Sequence, residues 1–247
     1  MSSLKAKLVS AVTSAAAARG YELTPQWRMD AQPLARHLRK VFALHGVDCV
    51  LDVGANKGQF RDFLREDVAF TGPIVSFEPV SRYVELLKGR AEKDPGWTIV
   101  SHALGNAHAT TEINVTQSPG LNSFLEPRHD AVPGFWDGQA IVKEAVRIER
   151  LDDVYRSLKT RLAFQRPYLK LDTQGFDLEV IRGAAATIGE IVGLQTEASV
   201  RPIYGSMPTY QETIDTMVAH GFALSSMFSV THDDRLRLVE FDCVMVR

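Results

Sequence analysis

The chain has little cysteine: two residues, Cys49 and Cys243, among 247. Both lie in apolar, strand-like runs, with no CxxC pair and no Cys/His cluster. Buried free thiols are therefore expected rather than a disulfide or a thiolate metal site. No run approaches the ~18 apolar residues that a membrane-spanning helix needs. Net charge is only -2, so nothing in the balance points to nucleic acid. A secretory leader is not apparent either. The opening MSSLKAKLVSAVTSAAAARG has its apolar stretch interrupted by Ser10, Thr13 and Ser14. It reads instead as a weak amphipathic helix that docks on the body or on a second subunit. These absences lead us to expect a cytoplasmic protein, with a homodimer formed through the N-terminal extension.

What is present is a change of hydrophobic period along the chain. Residues 1–45 read as helical, with Trp27, Leu34, Leu38, Val41, Phe42 and Leu44 at helical spacings. From CVLDVG (49–54) onward, strand-like runs alternate with helical ones. The strand-like runs are PIVSFEP (73–79), WTIVSHALG (97–105), TEINVT (111–116), IVKEAVRIER (141–150), PYLKLDTQG (167–175) and EIVGLQTEAS (190–199), with two closing strands around HDD. QFRDFLRE, SRYVELLKGRAE, LDDVYRSLK, FDLEVIRGAAATI and PTYQETIDTMVAHG carry the helical period. Such alternation predicts an α/β fold, a mostly parallel sheet with helices on both faces and an antiparallel closing pair. The expected organisation is a helical extension (1–45) and one catalytic domain (46–247). Residues 117–139 stand apart, dense in Gly, Pro, Asn and Asp yet carrying Leu121, Phe124, Phe135 and Trp136. Either this loop closes over a ligand or its aromatics pin it to the core.

In open α/β sheets, ligands sit at the carboxyl ends of the strands. Here those ends carry Asp52 and Gly54, then Glu78 and Pro79, then Ser101, His102 and Ala103, then Asp172, then Glu197. The first turn, GANKGQ (54–59), is not the GxxxxGK[ST] of a phosphate loop. Nor is it a GxGxxG dinucleotide turn, because Ala55 and Asn56 break the first step. Asp52 beside the turn disfavours phosphate by like-charge repulsion. Glu78 ends the second strand, where a carboxylate can accept from both hydroxyls of a ribose. A nucleoside with a cationic group and no phosphate fits these residues, which points to S-adenosylmethionine. The expected cofactor residues are Asp52, Gly54, Ala55, Asn56, Gly58, Glu78 and Pro79, with Ala103 and Leu104 towards the adenine and Asp172 beside the cofactor strand.

Five separated motifs then fall in order: DVGANKGQF, FEP (77–79), SHALG (101–105), ERLDD (149–153) and LKLDTQGFDLEVIRGA (169–184). Together they resemble the FkbM family of S-adenosylmethionine-dependent methyltransferases, from about residue 45 to the end. The resemblance implies a class I methyltransferase fold: Rossmann-like, seven-stranded, mostly parallel, helices on both faces, with an antiparallel terminal strand. It also implies O-methylation of sugar or polyketide-type hydroxyls. The family often has Glu-Gly after its LK-D motif; here that position is Gln174, preceded by Thr173, so one carboxylate is absent.

A hydroxyl is a poor nucleophile until its proton leaves, so the reaction needs a base or a metal. Asp172 is the first candidate base, its alternative role being to cap the following helix. His102 is the second, with a structural or adenine-side position as its alternative. Asp172 and Glu197 could together clamp a divalent cation such as magnesium. Lys170, inside an apolar strand, needs an acidic partner. Asn122, Ser123, His129 and Trp136 on the loop, and Gln174, Glu197 and Tyr204 beyond it, are expected against the acceptor. Arg201 and Tyr210 flank them. The expected activity is methylation of a sugar hydroxyl on a glycan, glycolipid or oligosaccharide. The alternatives are a polyketide or other small natural product as acceptor, a non-catalytic cofactor-binding subunit, and a nicotinamide oxidoreductase.

Overall fold

A computed structural model describes residues 12, 14–16, 18–21 and 29–247; Trp27 and most of the opening segment lie outside them. In chain order the elements are α1 (Gln32–His45), β1 (Cys49–Val53), α2 (Gln59–Phe63), β2 (Ile74–Phe77), α3 (Ser81–Ala91) and β3 (Trp97–Val100). Then come β4 (Ala103–Leu104), β5 (Ala109–Thr116), β6 (Ile141–Glu149), α4 (Leu151–Leu162) and β7 (Pro167–Leu171). The chain finishes with α5 (Asp177–Arg182), β8 (Gly193–Ser199), α6 (Tyr210–Ala219), β9 (Ala223–His232) and β10 (Leu238–Val246).

Seven strands form one sheet in the order β3-β2-β1-β7-β8-β10-β9. Every pairing is parallel except those of β10, which runs antiparallel to β8 and β9. This is the seven-stranded arrangement that the motifs implied. Its strand order reverses between β1 and β7, the place where such sheets open a crevice. β1, β2 and β7 are buried along their whole length, as strands covered on both faces must be. One face carries Leu51, Val53, Leu169 and Leu171 and packs against Leu151, Tyr155 and Leu158 of α4, Val180 and Ile181 of α5, and Met217 of α6. The other carries Val50, Ile74 and Tyr168 and meets Leu38, Val41 and Phe42 of α1. So residues 32–45, read from sequence as part of an extension, are one of the layers that cover the sheet. Thr209 caps α6 in a capping box with Glu212, and each such cap stabilises by about 1 kcal/mol.

Three differences from the sequence reading bear on the site. The run 97–105 is not one strand. β3 ends at Val100, and after Ser101–His102 the chain leaves the main sheet so that Ala103–Leu104 pair with Ile148–Glu149. This starts a second, three-stranded sheet, β4-β6-β5. The helix expected over FDLEVIRGAAATI stops at Arg182; Ala184 N–H already turns to Ile181, and beyond it the Asp152 carboxylate takes the backbone N–H groups of Ala186 and Thr187. And the loop aromatics do not all face a ligand: Trp136 packs edge-on against Tyr204 in a separate apolar cluster with Ile203, Met207 and Val239.

Candidate active site

The site rests on a row of polar side chains inside the sheet. Register places Ser76, Asp52, Lys170 and Gln195 side by side on β2, β1, β7 and β8. Asp52 is fully buried. It accepts from Ser76 Oγ at 2.8 Å, and that oxygen in turn accepts from Trp97 Nε1 at 2.9 Å. Lys170 Nζ lies 3.4 Å from Asp52 Oδ1 and 3.2 Å from Asp172 Oδ2. Burial works against its charge, yet Asp172 and Asp52 hold its pKa above the ordinary lysine value. The partner that the sequence reading demanded for Lys170 is thus present twice over. The same pairing weakens one sequence argument: Asp52 points beneath the turn and is matched by an ammonium, so it contributes less to the charge of the crevice than its position suggests.

Above this row, at the carboxyl ends of β1, β2 and β7, lies a cavity of about 580 Å³, its open mouth included. The turn after β1 forms one wall. Gly54 adopts φ +83°, and a Cβ there would lie 1.9 Å from the Asp172 carbonyl oxygen, so only glycine lets the two strand ends touch. Asn56 follows, also left-handed, its Oδ1 buried without a partner. Glu78 closes the second wall. Its Oε2 accepts from Asn56 N–H at 2.7 Å and its Oε1 from Val80 N–H at 2.9 Å. Burial nonetheless pushes its carboxyl up to about 7. Pro79, Ala103 and Leu104 line the cavity with it, as expected. Val53, Phe77, Ile113, Gly120, Phe124 and Thr173 do so too; of these the sequence reading offered a ligand role to Phe124 alone, as one alternative for its loop. Ile113 was discoverable, since the alternation of TEINVT puts it on the buried face with Val115. Phe124 stacks on Phe176 at 4.8 Å, so that one loop aromatic does reach the cavity.

Three expected cofactor residues stand behind the wall rather than in it. Asp52 is one. Ala55 is buried and gives its N–H to the Phe77 carbonyl. Gly58, φ +87°, is fixed by packing, since a Cβ would come 2.8 Å from Trp97 and 3.0 Å from Leu87.

Asp172 lines the cavity with its side chain 40% exposed. It is not the helix cap. α5 has no side-chain cap; Asp177, its first residue, instead holds the preceding turn, accepting from Thr173 N–H at 2.9 Å and from the Thr173 hydroxyl, and it accepts from Thr196 Oγ at 2.6 Å. Gln174 also lines the cavity. Its Nε2 donates to Asp172 Oδ1 at 3.1 Å and to Glu197 Oε2 at 2.6 Å, and Tyr204 Oη reaches its Oε1 at 3.1 Å. An amide therefore stands between the two carboxylates expected to clamp a cation. Among the described residues no group of three or more His, Cys, Asp or Glu side chains could hold a metal ion. The residues present do not fit magnesium.

His102 is buried outside the lining, Nδ1 3.1 Å from the Ala103 carbonyl and its ring against Phe77. Burial lowers its pKa. This is its structural alternative, not the position of a base. Of the expected acceptor contacts, Asn122 lines the cavity and holds Thr116 N–H through Oδ1 at 2.9 Å. Ser123 is buried and donates to the Gln174 carbonyl at 2.7 Å. Tyr204 also gives its hydroxyl to the Leu121 carbonyl at 3.0 Å. His129 packs near Trp136, and neither ring lines the cavity. Glu197 lies deeper, beside two acids the sequence reading passed over, Glu240 and Asp242 of β10. Burial pushes Glu197 well up, Glu240 to about 7 and Asp242 to about 6. Acids at alternate positions in the otherwise apolar VEFDCVMV were the signal.

Comparison with known proteins adds the following. Residues 52–224 match the family model of the methyltransferase FkbM domain. No curated protein matches the chain. Among solved structures, a methyltransferase FkbM from Methylobacillus flagellatus is 14% identical with a TM-score of 0.47 over 81% of this chain. The chain spans 44% of that protein's length. An O-methyltransferase from Bacillus cereus in complex with SAH is 10% identical, TM-score 0.44, covering 100% of this chain and 92% of that one. Aeropyrum pernix fibrillarin with bound S-adenosyl-L-methionine is 13% identical, TM-score 0.45, covering 84% of this chain and 73% of that one.

Proposed function

The chain belongs to the FkbM methyltransferase family, and from that premise we propose that it transfers a methyl group from S-adenosylmethionine to a hydroxyl of a sugar. The observation that carries the reading is that Glu78, Asn56 and Asp172 open onto one cavity with apolar walls. Glu78 would accept from the ribose hydroxyls, and the turn at Gly54–Asn56 would lie against the amino-acid end. Phe77, Leu104, Ile113 and Phe124 would enclose the flat base. S-adenosylmethionine, when bound, supplies the activated methyl; the protein orients and desolvates.

Asp172 is the group we assign to take the acceptor's proton. Its carboxylate is half-exposed towards the cavity and held by a donor at each oxygen, Lys170 at 3.2 Å and Gln174 at 3.1 Å. A base fixed in this way needs no reorganisation as the O–H proton moves to it. The sugar class rests on the motif resemblance; of the acids near the site only Asp172 and Glu78 open onto the cavity, where each could accept from a hydroxyl. We place the methyltransferase domain at residues 46–247, with α1 packed on its sheet as a covering layer.

Calorimetry tests the cofactor: S-adenosylhomocysteine should bind one per chain and NAD should not bind. Methyl transfer from labelled S-adenosylmethionine to mono- and oligosaccharides then tests the acceptor. Transfer only to a non-sugar hydroxyl, or to none, refutes the sugar class.

A further inference from the structure

We infer that Gln174 is a positioning residue that occupies the place a divalent cation would take between Asp172 and Glu197, so that the site works without a metal there. The inference rests on the reading of Asp172 as the proton acceptor. Asp172, just past β7, and Glu197 on the adjacent β8 repel when both are ionised unless a cation or a hydrogen-bond donor lies between them, and burial together with Asp172 holds Glu197 above the usual carboxylate range. Metal-dependent sites use a cation with several oxygen ligands. Here a neutral amide does it. A primary amide nitrogen carries two N–H bonds, and both are spent, one on each carboxylate.

The amide cannot easily present its other end. Tyr204 Oη, itself only 1% exposed, stands 3.1 Å from Gln174 Oε1, and a reversed amide would set a carbonyl oxygen against two carboxylates. The main chain is locked as well. Gln174 is left-handed at φ 52°. Its carbonyl accepts from Ser123 Oγ at 2.7 Å, and that hydroxyl accepts from Leu125 N–H at 3.0 Å. Ser123 and Tyr204, expected from sequence to touch the acceptor, instead brace the residue that aims Asp172. Phe176, two residues on, packs under Phe124, which ties the same turn to the cavity wall.

Glutamate at this position would replace the donor with a third carboxylate and create the oxygen cluster a hard cation prefers. That contrast makes the inference testable on the full-length protein with Mn²⁺ as the probe. Chelator-treated wild type should take up no stoichiometric Mn²⁺ in a calorimetric titration, and EDTA should leave turnover unchanged. Gln174→Glu should gain one Mn²⁺ per chain, a gain lost again in Gln174→Glu/Glu197→Gln. Gln174→Met, which keeps the length but not the donor, should lower kcat about 10- to 100-fold, the usual effect of removing a supporting partner. Its affinity for S-adenosylhomocysteine should stay within about two-fold of wild type. One Mn²⁺ bound by the wild type and lost in Glu197→Gln would overturn the inference, as would Gln174→Met turning over like the wild type. The Mn²⁺ titration needs neither cofactor nor acceptor. If S-adenosylhomocysteine fails to bind, the functional reading fails while the metal result stands by itself. If Gln174→Glu does not fold, the wild-type titration and the methionine variant still decide.

Discussion

Replacing Lys170 with methionine probes the foundation of the site. The change preserves side-chain length and removes the charge that serves Asp52 and Asp172. The two acids are not equal in the loss. Asp172's side chain is 40% exposed, so water can solvate it, whereas Asp52's side chain is 0% exposed and keeps only the Ser76 hydroxyl. Leaving one buried charge uncompensated costs about 3–5 kcal/mol. For a chain of this size, where each kcal/mol moves the melting midpoint by roughly 2–4 °C, that is a drop of about 6–20 °C. Most of the penalty is assigned to Asp52, so Lys170→Met/Asp52→Asn should regain most of the loss. It should stay about 1–3 kcal/mol short, because the new amide has N–H donors with no partner. Lys170→Met/Asp172→Asn should regain little. Thermal and urea unfolding, followed through buried Trp97 and Trp136, read all four proteins. The reasoning is refuted if Lys170→Met/Asp52→Asn unfolds no later than Lys170→Met alone, or if the two double variants recover equally.

Glu78 makes a prediction about pH. Its carboxyl is raised from 4.5 to about 7 in the folded chain, chiefly by burial. A raised acid favours the folded state while neutral, so its contribution to stability is present below pH ~4.5 and lost as pH rises through ~7. Glu78→Gln should remove that segment of the stability–pH curve; an unchanged curve counts against it. Because ribose hydroxyls would donate to the ionised form, S-adenosylhomocysteine should bind more tightly as pH rises through ~7, and that dependence should vanish in Glu78→Gln. Gly54→Ala should abolish cofactor binding, since its Cβ would sit 1.9 Å from the Asp172 carbonyl; calorimetric affinity within about ten-fold of wild type contradicts the steric argument. Asp172→Asn should keep cofactor affinity and lose at least about 100-fold in kcat, and full turnover in that variant removes the base assignment.

The sheet was legible because hydrophobic period and motif order are local properties of the chain, and β1, α3, α4 and β7 lie close to where those signals put them. The small sheet was not legible. Ala103–Leu104 read as the end of a strand that had already finished, and their partners in β6 are some 45 positions away. The same division runs through the site. Gly54, Asn56, Glu78, Pro79 and Asp172 sit at strand ends, where the sequence states their place. Ser123, Tyr204 and Glu197, read from sequence as acceptor contacts, meet Gln174 instead. No pattern of residues says that a tyrosine from the segment after β8 will meet a glutamine after β7. Glu240 and Asp242 escaped because an antiparallel return from the end of the chain brings them beside Glu197.

The bare Gly54 backbone against the Asp172 carbonyl has a consequence for how the family can vary. Main chain touching main chain sets the spacing between the two halves of the cavity, with no side chain in the gap to lengthen, shorten or change rotamer. The width of the cavity between Gly54 and Asp172 is in that sense a fixed dimension of the sheet. Residues 117–139 bring Asn122 and Phe124 to the rim and reach that frame through the Ser123 hydroxyl at the Gln174 carbonyl and through Phe124 against Phe176. Variation in the rim is therefore confined to positions outside those contacts, while the spacing that the rim borders stays that of the main chain.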